Sequence, residues 1–486
     1  MPQLPELSNF IAGEISRPTI DRGSSLRNPN TREVLQPQLS ATPEEAERAV
    51  ACAHACYQSG EWERMGPEGR AVYLDAIADE LQKPERQDLI SYSDSITTGA
   101  VRAVTKKMAS LVPLVFRGAA KYLRSGALLK KVPGPRGEVE IAKRPWGPTF
   151  LISPWNGPTA IGSHKMASAL AAGAPAIFKP SEWAPHSAIV MAEAIHKANL
   201  PLGAFQLLCG SRHIGGPIVA DPRIRSVSFT GGLAGGRAVA RACADDFKAT
   251  QLELGGNNPM VVFPDADLDA AATAIVFGMT MLNAQWCRAL GRLIVHSTIK
   301  DQLLEAVLGK LSKIKLTNSL DDSADMGPMV HEGQYDSIRS DIKRLEGKGG
   351  KALTATTLPD LPGYFIAPTL VDGCDPSETV DEIFGPVAAV HTFNTEAEGL
   401  LLANGTPFGL AGYVFSNDVE RAFRFAREIR TGGVKINGYS LLSLNPDAPR
   451  AAWGLSGIGE EGHSQSIEFF CGARVVGVSK QDAIHG

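Results

Sequence analysis

Three side chains, in chain order an amide, a carboxylate and a thiol, could carry out one reaction. Asn156 lies in Pro154-Trp155-Asn156, Glu253 in Gln251-Leu252-Glu253-Leu254-Gly255-Gly256, and Cys287 in Asn283-Ala284-Gln285-Trp286-Cys287-Arg288-Ala289-Leu290-Gly291-Arg292. A thiolate attacks a carbonyl carbon, an amide beside the thiol's own backbone N–H holds the oxyanion that forms, and a carboxylate activates the water that releases the product. Together they suit covalent chemistry on an aldehyde. A cysteine amid apolar residues taken alone more often packs than reacts, so the weight rests on the combination.

More blocks follow in order: Phe178-Lys179-Pro180-Ser181-Glu182, Phe229-Thr230-Gly231, Glu382-Ile383-Phe384-Gly385-Pro386 and Leu455-Ser456-Gly457. With the trio they make nearly the whole chain resemble the aldehyde dehydrogenase superfamily, in which a Leu-Glu-Leu-Gly-Gly base precedes the nucleophile by thirty-odd residues. The resemblance implies Cys287 as nucleophile, Glu253 as base, Asn156 with the Cys287 N–H as oxyanion donors, and a structural role for Arg292. Two rivals differ in chemistry. A coenzyme-A-acylating relative resolves the thioester with a thiol, and commonly lacks the base that Glu253 supplies. A non-catalytic binding or structural protein on the same fold has no need of the trio.

The dinucleotide fingerprint Gly-x-Gly-x-x-Gly is absent. Thr230-Gly231-Gly232-Leu233-Ala234-Gly235-Gly236 follows a strand and opens a helix, where backbone N–H groups and the helix dipole meet a pyrophosphate. The resemblance implies a cofactor site built from Ile152, Ser153, Trp155, Lys179, Ser181, Glu182, Phe229, Thr230, Gly231, Gly232, Gly236, Leu254, Gly255, Glu382 and Phe384. Lys179 and Glu182 would bind the adenosine ribose, and Glu382 and Phe384 the nicotinamide end. A carboxylate at the 2′-hydroxyl repels a 2′-phosphate, so NAD is expected over NADP. Gly232 stands where relatives carry Ser, which removes one hydroxyl donor.

The substrate pocket departs from the pattern. Gly157 and His164 replace frequent aromatics, Ala284 replaces the Gly of Gly-Gln-x-Cys and loses backbone freedom if its φ is positive, and Pro449-Arg450-Ala451-Ala452-Trp453-Gly454 replaces Pro-Phe-Gly-Gly. Substrate contacts are expected from Gly157, Ile161, His164, Trp286, Arg288, Arg450 and Trp453. Arg288 or Arg450 could fork onto an anionic substrate end; if both point outward instead, the pocket suits a bulky aromatic or hydrophobic aldehyde.

The chain must supply elements that hold these groups. Its 486 residues exceed one ordinary core. From 148 to 263 short apolar runs at Phe150–Ser153, Ala176–Phe178, Phe205–Leu208, Ser226–Phe229 and Gln251–Leu254 alternate with helical patterns, the rhythm of right-handed β-α-β units. After 264 come Leu293–His296, Ala388–Phe393, Gly412–Phe415 and Gly433–Ile436. The expected architecture is α/β, with two Rossmann-like parallel-sheet domains and a small β oligomerisation element. Residues 1–123 and 146–254 would form the NAD-binding domain, 255–465 the catalytic domain, and 124–145 with 466–486 the oligomerisation hairpin and tail. The first hundred residues read as mainly helical; Thr42-Pro43-Glu44-Glu45 is a capping box with Pro at N1.

Forty-eight basic and 52 acidic residues leave a net charge of −4 with no block of like charge, so neither nucleic acid nor a membrane surface is expected as partner. No signal peptide opens the chain and no run is long enough to span a bilayer, which predicts a cytosolic protein. Seven scattered cysteines argue against a disulfide framework and against zinc, the ten histidines form no ligand or triad spacing, and no metal is expected. By resemblance the hairpin and tail join subunits into a homodimer or homotetramer.

Overall fold

The computed structural model describes residues 2–135, 137–445 and 447–478. Two large twisted sheets divide the chain. In the first, parallel strands Phe205–Leu207, Ala176–Lys179, Thr149–Ile152, Ser226–Thr230 and Ala249–Glu253 lie in that spatial order. Chain order runs one way from Thr149–Ile152 and the other way from Ser226–Thr230. The sheet therefore has its topological switch between those two strands, and a crevice opens at their carboxyl ends. Strands Thr149–Ile152 and Ala176–Lys179 are buried throughout, as expected of a parallel sheet covered on both faces.

The second sheet has the order Lys351–Leu353, Thr369–Asp372, Val387–Phe393, Leu290–His296, Asn258–Val262, Gly412–Phe415, Val434–Ile436, parallel except at the Lys351–Leu353 edge. Its central strand Asn258–Val262 was not among the expected strands. All five of its residues are buried, and so short an apolar run has no periodicity to separate it from the preceding glycine loop.

The first hundred residues are helical over most of Pro43–Thr98, but the chain opens on strands. Strands Asn9–Ile11, Glu14–Ser16, Ile20–Arg27 and Val34–Ser40 precede the first helix, Pro43–Ser59. The first two extend the edge of the first sheet and the others form a hairpin. Ile20–Arg27 is largely exposed, with only Leu26 buried, so it lacks the apolar alternation that reveals a strand. The capping box at Thr42 forms as read: Thr42 Oγ1 accepts from Glu45 N–H, and Glu45 Oε2 accepts from Thr42 N–H at 2.9 Å.

Strands Leu129–Gly134 and Gly137–Pro145 make a hairpin, and the late strand Cys471–Gly477 pairs antiparallel with the second of them. The tail thus finds its partner within the chain; the part of the expected tail at 479–486 lies outside the described residues. One strand crosses between the segments read as separate domains. Gly457–Ile458 leaves the second segment and pairs antiparallel with Leu252 and Glu253 at the edge of the first sheet. Gly457, at φ 131°, approaches so closely that a Cβ would lie 1.9 Å from Leu252 O. Among the described residues, no helix is long and apolar enough to cross a membrane.

Candidate active site

The crevice holds a groove of about 730 Å³ whose walls include Ile152, Ser153, Trp155, Lys179, Ser181, Glu182, Phe229, Thr230, Gly231 and Gly232. It meets a smaller cavity of about 280 Å³ along Pro154, Trp155, Thr230, Gly231 and Gly232. That cavity is lined further by Asn156, Ile161, Glu253, Leu254, Gly255, Cys287, Gln334, Glu382 and Phe384. The structure thus brings the amide, the carboxylate and the thiol to one space. Of the expected cofactor residues only Gly236 stays out of both walls. A Cβ there would meet Leu254 Cδ2 at 2.5 Å, so it serves close helix–strand packing, and Gly235 lines the groove.

Each of the three groups stands at the end of an element. Asn156 precedes helix Pro158–Ala172, and Glu253 is the last residue of its strand. Cys287 follows a tight turn in which Leu282, Asn283 and Ala284 all take positive φ, between 51° and 57°. Side chains with a Cβ resist that conformation at about 1–2 kcal/mol each, so the turn persists because its surroundings over-determine it. Asn283 donates to Gly99 O and Pro328 O and accepts from Gly327 N–H, and Gln285 accepts from Val330 N–H. The positive φ of Ala284 is the condition under which the missing glycine costs backbone freedom.

Arg292 acts in structure, as read. It donates to Asn257 O, Leu402 O and Ala403 O. Gly255 leaves room for Glu382, whose Oε2 would lie 1.9 Å from a Cβ there and whose Oε1 accepts from Gly256 N–H at 2.8 Å. Phe384, at φ 56°, is held by Gln334, which donates to its carbonyl, and by an edge contact with Trp155.

Lys179 is buried, and its ammonium donates to Pro180 O and Gly210 O, with Glu182 Oε2 at 3.8 Å. The hydroxyls of Ser153 and Thr230 are buried without a hydrogen-bond partner among the described residues. Such groups cost free energy unless a ligand or water meets them. Burial dominates the electrostatics of the smaller cavity. It pushes the Cys287 thiol up to about 12 and lifts the carboxyls of Glu253 and Glu382 each to about 8.

The expected substrate residues scatter. Ile161 lines the cavity, and Gly157 lies against it, 3.4 Å from Ile161 Cδ1 to where a Cβ would sit. His164 meets Ser466 Oγ at 2.7 Å, and Trp286 is buried against Tyr439. Trp453 is 51% exposed on a short strand beside Gly409, away from the cavity wall. Arg288 is buried with Nη2 3.9 Å from Glu253 Oε2, and Arg450 is half-buried, opposite Glu461 in register and under the influence of its charge.

Sequence reasoning missed two charged groups beside Glu253. Lys165 is buried and donates to Ser228 Oγ at 2.6 Å, and burial brings it down to about 8. Glu461 lies below the usual carboxylate range despite burial, because Lys165, His164, Arg450 and Arg288 surround it. The signal for Lys165 was available: it is the one Lys, Arg, Asp or Glu in helix Pro158–Ala172.

The sequence model described as the aldehyde dehydrogenase family matches residues 18–476. This chain belongs to the aldehyde dehydrogenase family. Among its relatives, aminoaldehyde dehydrogenase 1, peroxisomal, of Malus domestica is 34% identical over 94% of this chain and 93% of its own. Betaine aldehyde dehydrogenase, chloroplastic, of Atriplex hortensis is 32% identical over 97% and 96%. A crystal structure of betaine aldehyde dehydrogenase from Staphylococcus aureus in complex with NAD+ superimposes with a TM-score of 0.92 at 31% identity, over 98% of this chain and 96% of that one. Membership in the family makes this protein an oxidoreductase acting on the aldehyde group.

Proposed function

We propose that the protein oxidises an aldehyde to its carboxylic acid with NAD, through a thiohemiacetal and then a thioester on Cys287. What carries this reading is that Cys287, Glu253 and Asn156 face one cavity that opens into the groove of Lys179 and Glu182. The groove fits a dinucleotide: the partnerless Ser153 and Thr230 hydroxyls line it, and helix Leu233–Ala244 begins there with no side-chain cap on its N–H groups. Glu182 is placed to accept from a ribose 2′-hydroxyl and to repel a 2′-phosphate.

The Cys287 sulfur adds to the carbonyl carbon while the Asn156 amide and the Cys287 N–H stabilise the oxyanion. Bound NAD supplies the acceptor for the hydride that leaves the tetrahedral carbon, and the adduct becomes a thioester. Glu253 then takes a proton from water, whose oxygen adds to the acyl carbon, and the thiolate departs as the acid is released. Aldehyde, water and NAD become acid, NADH and a proton.

The aldehydes that fit best carry no negative charge. The Arg288 guanidinium already faces Glu253, Arg450 lies in the field of Glu461, and the cavity wall holds Glu253 and Glu382. The aminoaldehyde and betaine aldehyde named for the relatives agree with this charge preference. The hairpin and tail would join copies of the chain, since Val475 and Val476 stand exposed on the outer strand. All seven cysteines are unpaired, which fits a reducing cytosol.

The test is NADH formation from neutral, cationic and anionic aldehydes of equal length, with and without coenzyme A. Turnover without coenzyme A, favouring an uncharged or cationic substrate, is expected. A strict requirement for coenzyme A would favour the acylating chemistry, and no turnover at all a binding role.

A further inference from the structure

The residue after the nucleophile is a buried arginine whose charge the oxidation described above does not use. Arg288 is 4% exposed, and its Nη2 lies 3.9 Å from Glu253 Oε2. Its guanidinium makes one long hydrogen bond to the protein, from Nη1 to Leu410 O at 3.4 Å. Arg292, four residues on, provides the contrast: its guanidinium is spent on three backbone carbonyls. The Arg288 backbone is held separately, since its carbonyl accepts from Tyr413 Oη at 3.1 Å and Tyr439 Oη at 2.7 Å. The nucleophile's loop is therefore anchored whatever the side chain at 288.

Glu253 needs such a partner. It is 3% exposed and its Oε1 has no hydrogen-bond donor among the described residues. The groups facing it come from four elements: Arg288 from the nucleophile loop, Lys165 from helix Pro158–Ala172, and Arg450 and Glu461 from the two short strands that pair near the C-terminus. The Cys287 thiol faces it as well. Glu461 and burial disfavour the ionised carboxylate, and the three cations favour it; of these Arg288 acts most strongly.

We infer that Arg288 is a positioning residue, whose guanidinium fixes the Glu253 carboxylate beside the nucleophile and favours its ionised form against burial and Glu461, so that it can take a proton from water. The inference rests on the base role of Glu253 proposed above. A full guanidinium charge about 4 Å away in a protein interior favours the ionised acid and offsets part of what burial and Glu461 do.

The experiment follows NADH in the pre-steady state and in turnover from pH 6 to 10 for the wild type, Arg288→Met, Arg288→Lys and Glu253→Gln. Arg288→Met should keep the amplitude of the NADH burst, because Cys287 and the cofactor groove remain in place, while the burst itself slows because the guanidinium also favours the Cys287 thiolate. Its turnover near pH 7 should fall about tenfold or more, and its rising limb should move to higher pH by at least about one unit. Arg288→Lys should bring the limb part of the way back. In the Glu253→Gln background, Arg288→Met should cost nothing further. A limb at the wild-type position in Arg288→Met, or an equal additional loss in the Glu253→Gln background, overturns the inference. If Glu253→Gln itself turns over like the wild type, the failure lies in the base reading instead.

Discussion

At the scale of single residues, the trio was legible because its members are chemically distinctive and each sits in a recognisable block. Cys287→Ala should abolish aldehyde oxidation while NAD binding, followed by fluorescence titration, stays within about twofold, because Lys179, Glu182 and Thr230 lie on other elements. Glu253→Gln should give a burst of NADH followed by slow turnover, because the carboxylate acts on water after the acyl-enzyme forms. Acidity sets two opposed trends. With Glu253 lifted to about 8 by burial, its basic form grows as pH rises through that value, so the hydrolytic step should accelerate between about pH 7 and 9. Stability should run the other way. A carboxyl with a folded value of about 8 and an ordinary value of 4.5 binds its proton in the folded chain but not in the unfolded one between those limits, so stability falls as pH rises across that window. Denaturation midpoints from pH 5 to 9 check the slope, and Glu253→Gln should flatten part of it. The partners of Arg288 and Arg450 were not legible: a guanidinium can be recognised in a sequence, but the carboxylate it meets depends on how Glu253 and Glu461 are carried to it by separate strands.

At the scale of elements, β-α-β alternation revealed the first sheet because its strands are short apolar runs between helical patterns. The exposed N-terminal strands, and the buried Asn258–Val262 beside the glycine loop, gave no such contrast. The turn before Cys287 offers a direct test. Ala284→Gly removes a left-handed penalty of about 1–2 kcal/mol and gives back about 0.4–1 kcal/mol through a more flexible unfolded chain, so a slight rise in the denaturation midpoint is expected, whereas Ala284→Val should lower it. Gly232 at the start of helix Leu233–Ala244 is the converse case: nothing lies within 4 Å of a Cβ there. Gly232→Ser should fit without repacking and lower the KM for NAD through a new hydroxyl donor; an unchanged KM would mean the hydroxyl does not reach the pyrophosphate. Glu182→Gln, just past the end of strand Ala176–Lys179, should narrow the preference for NAD over NADP in kcat/KM by removing a repelling charge.

At the scale of the whole molecule, the hairpin and tail were each visible as strands, but their pairing was hidden by more than three hundred intervening residues, from Val139 to Gly477. Val475→Asp puts a charge on the outer strand at a residue 64% exposed; sedimentation should show a smaller particle than the wild type if copies join there, and the same mass if they do not. The strand Gly457–Ile458 has a consequence for how the protein is made. Leu252 and Glu253 lie on the last parallel strand of the first sheet, and the chain that covers their outer edge is synthesised roughly two hundred residues later, about 10–40 s at ordinary ribosomal rates. Throughout that interval the nascent chain presents an unpaired strand edge carrying its catalytic base, a template for pairing with a neighbouring nascent copy. Production should therefore depend on chaperone supply and translation speed in a way that the stability of the finished enzyme does not foretell, and chains cut short before Gly457 should aggregate even though every strand of the parallel sheet is present.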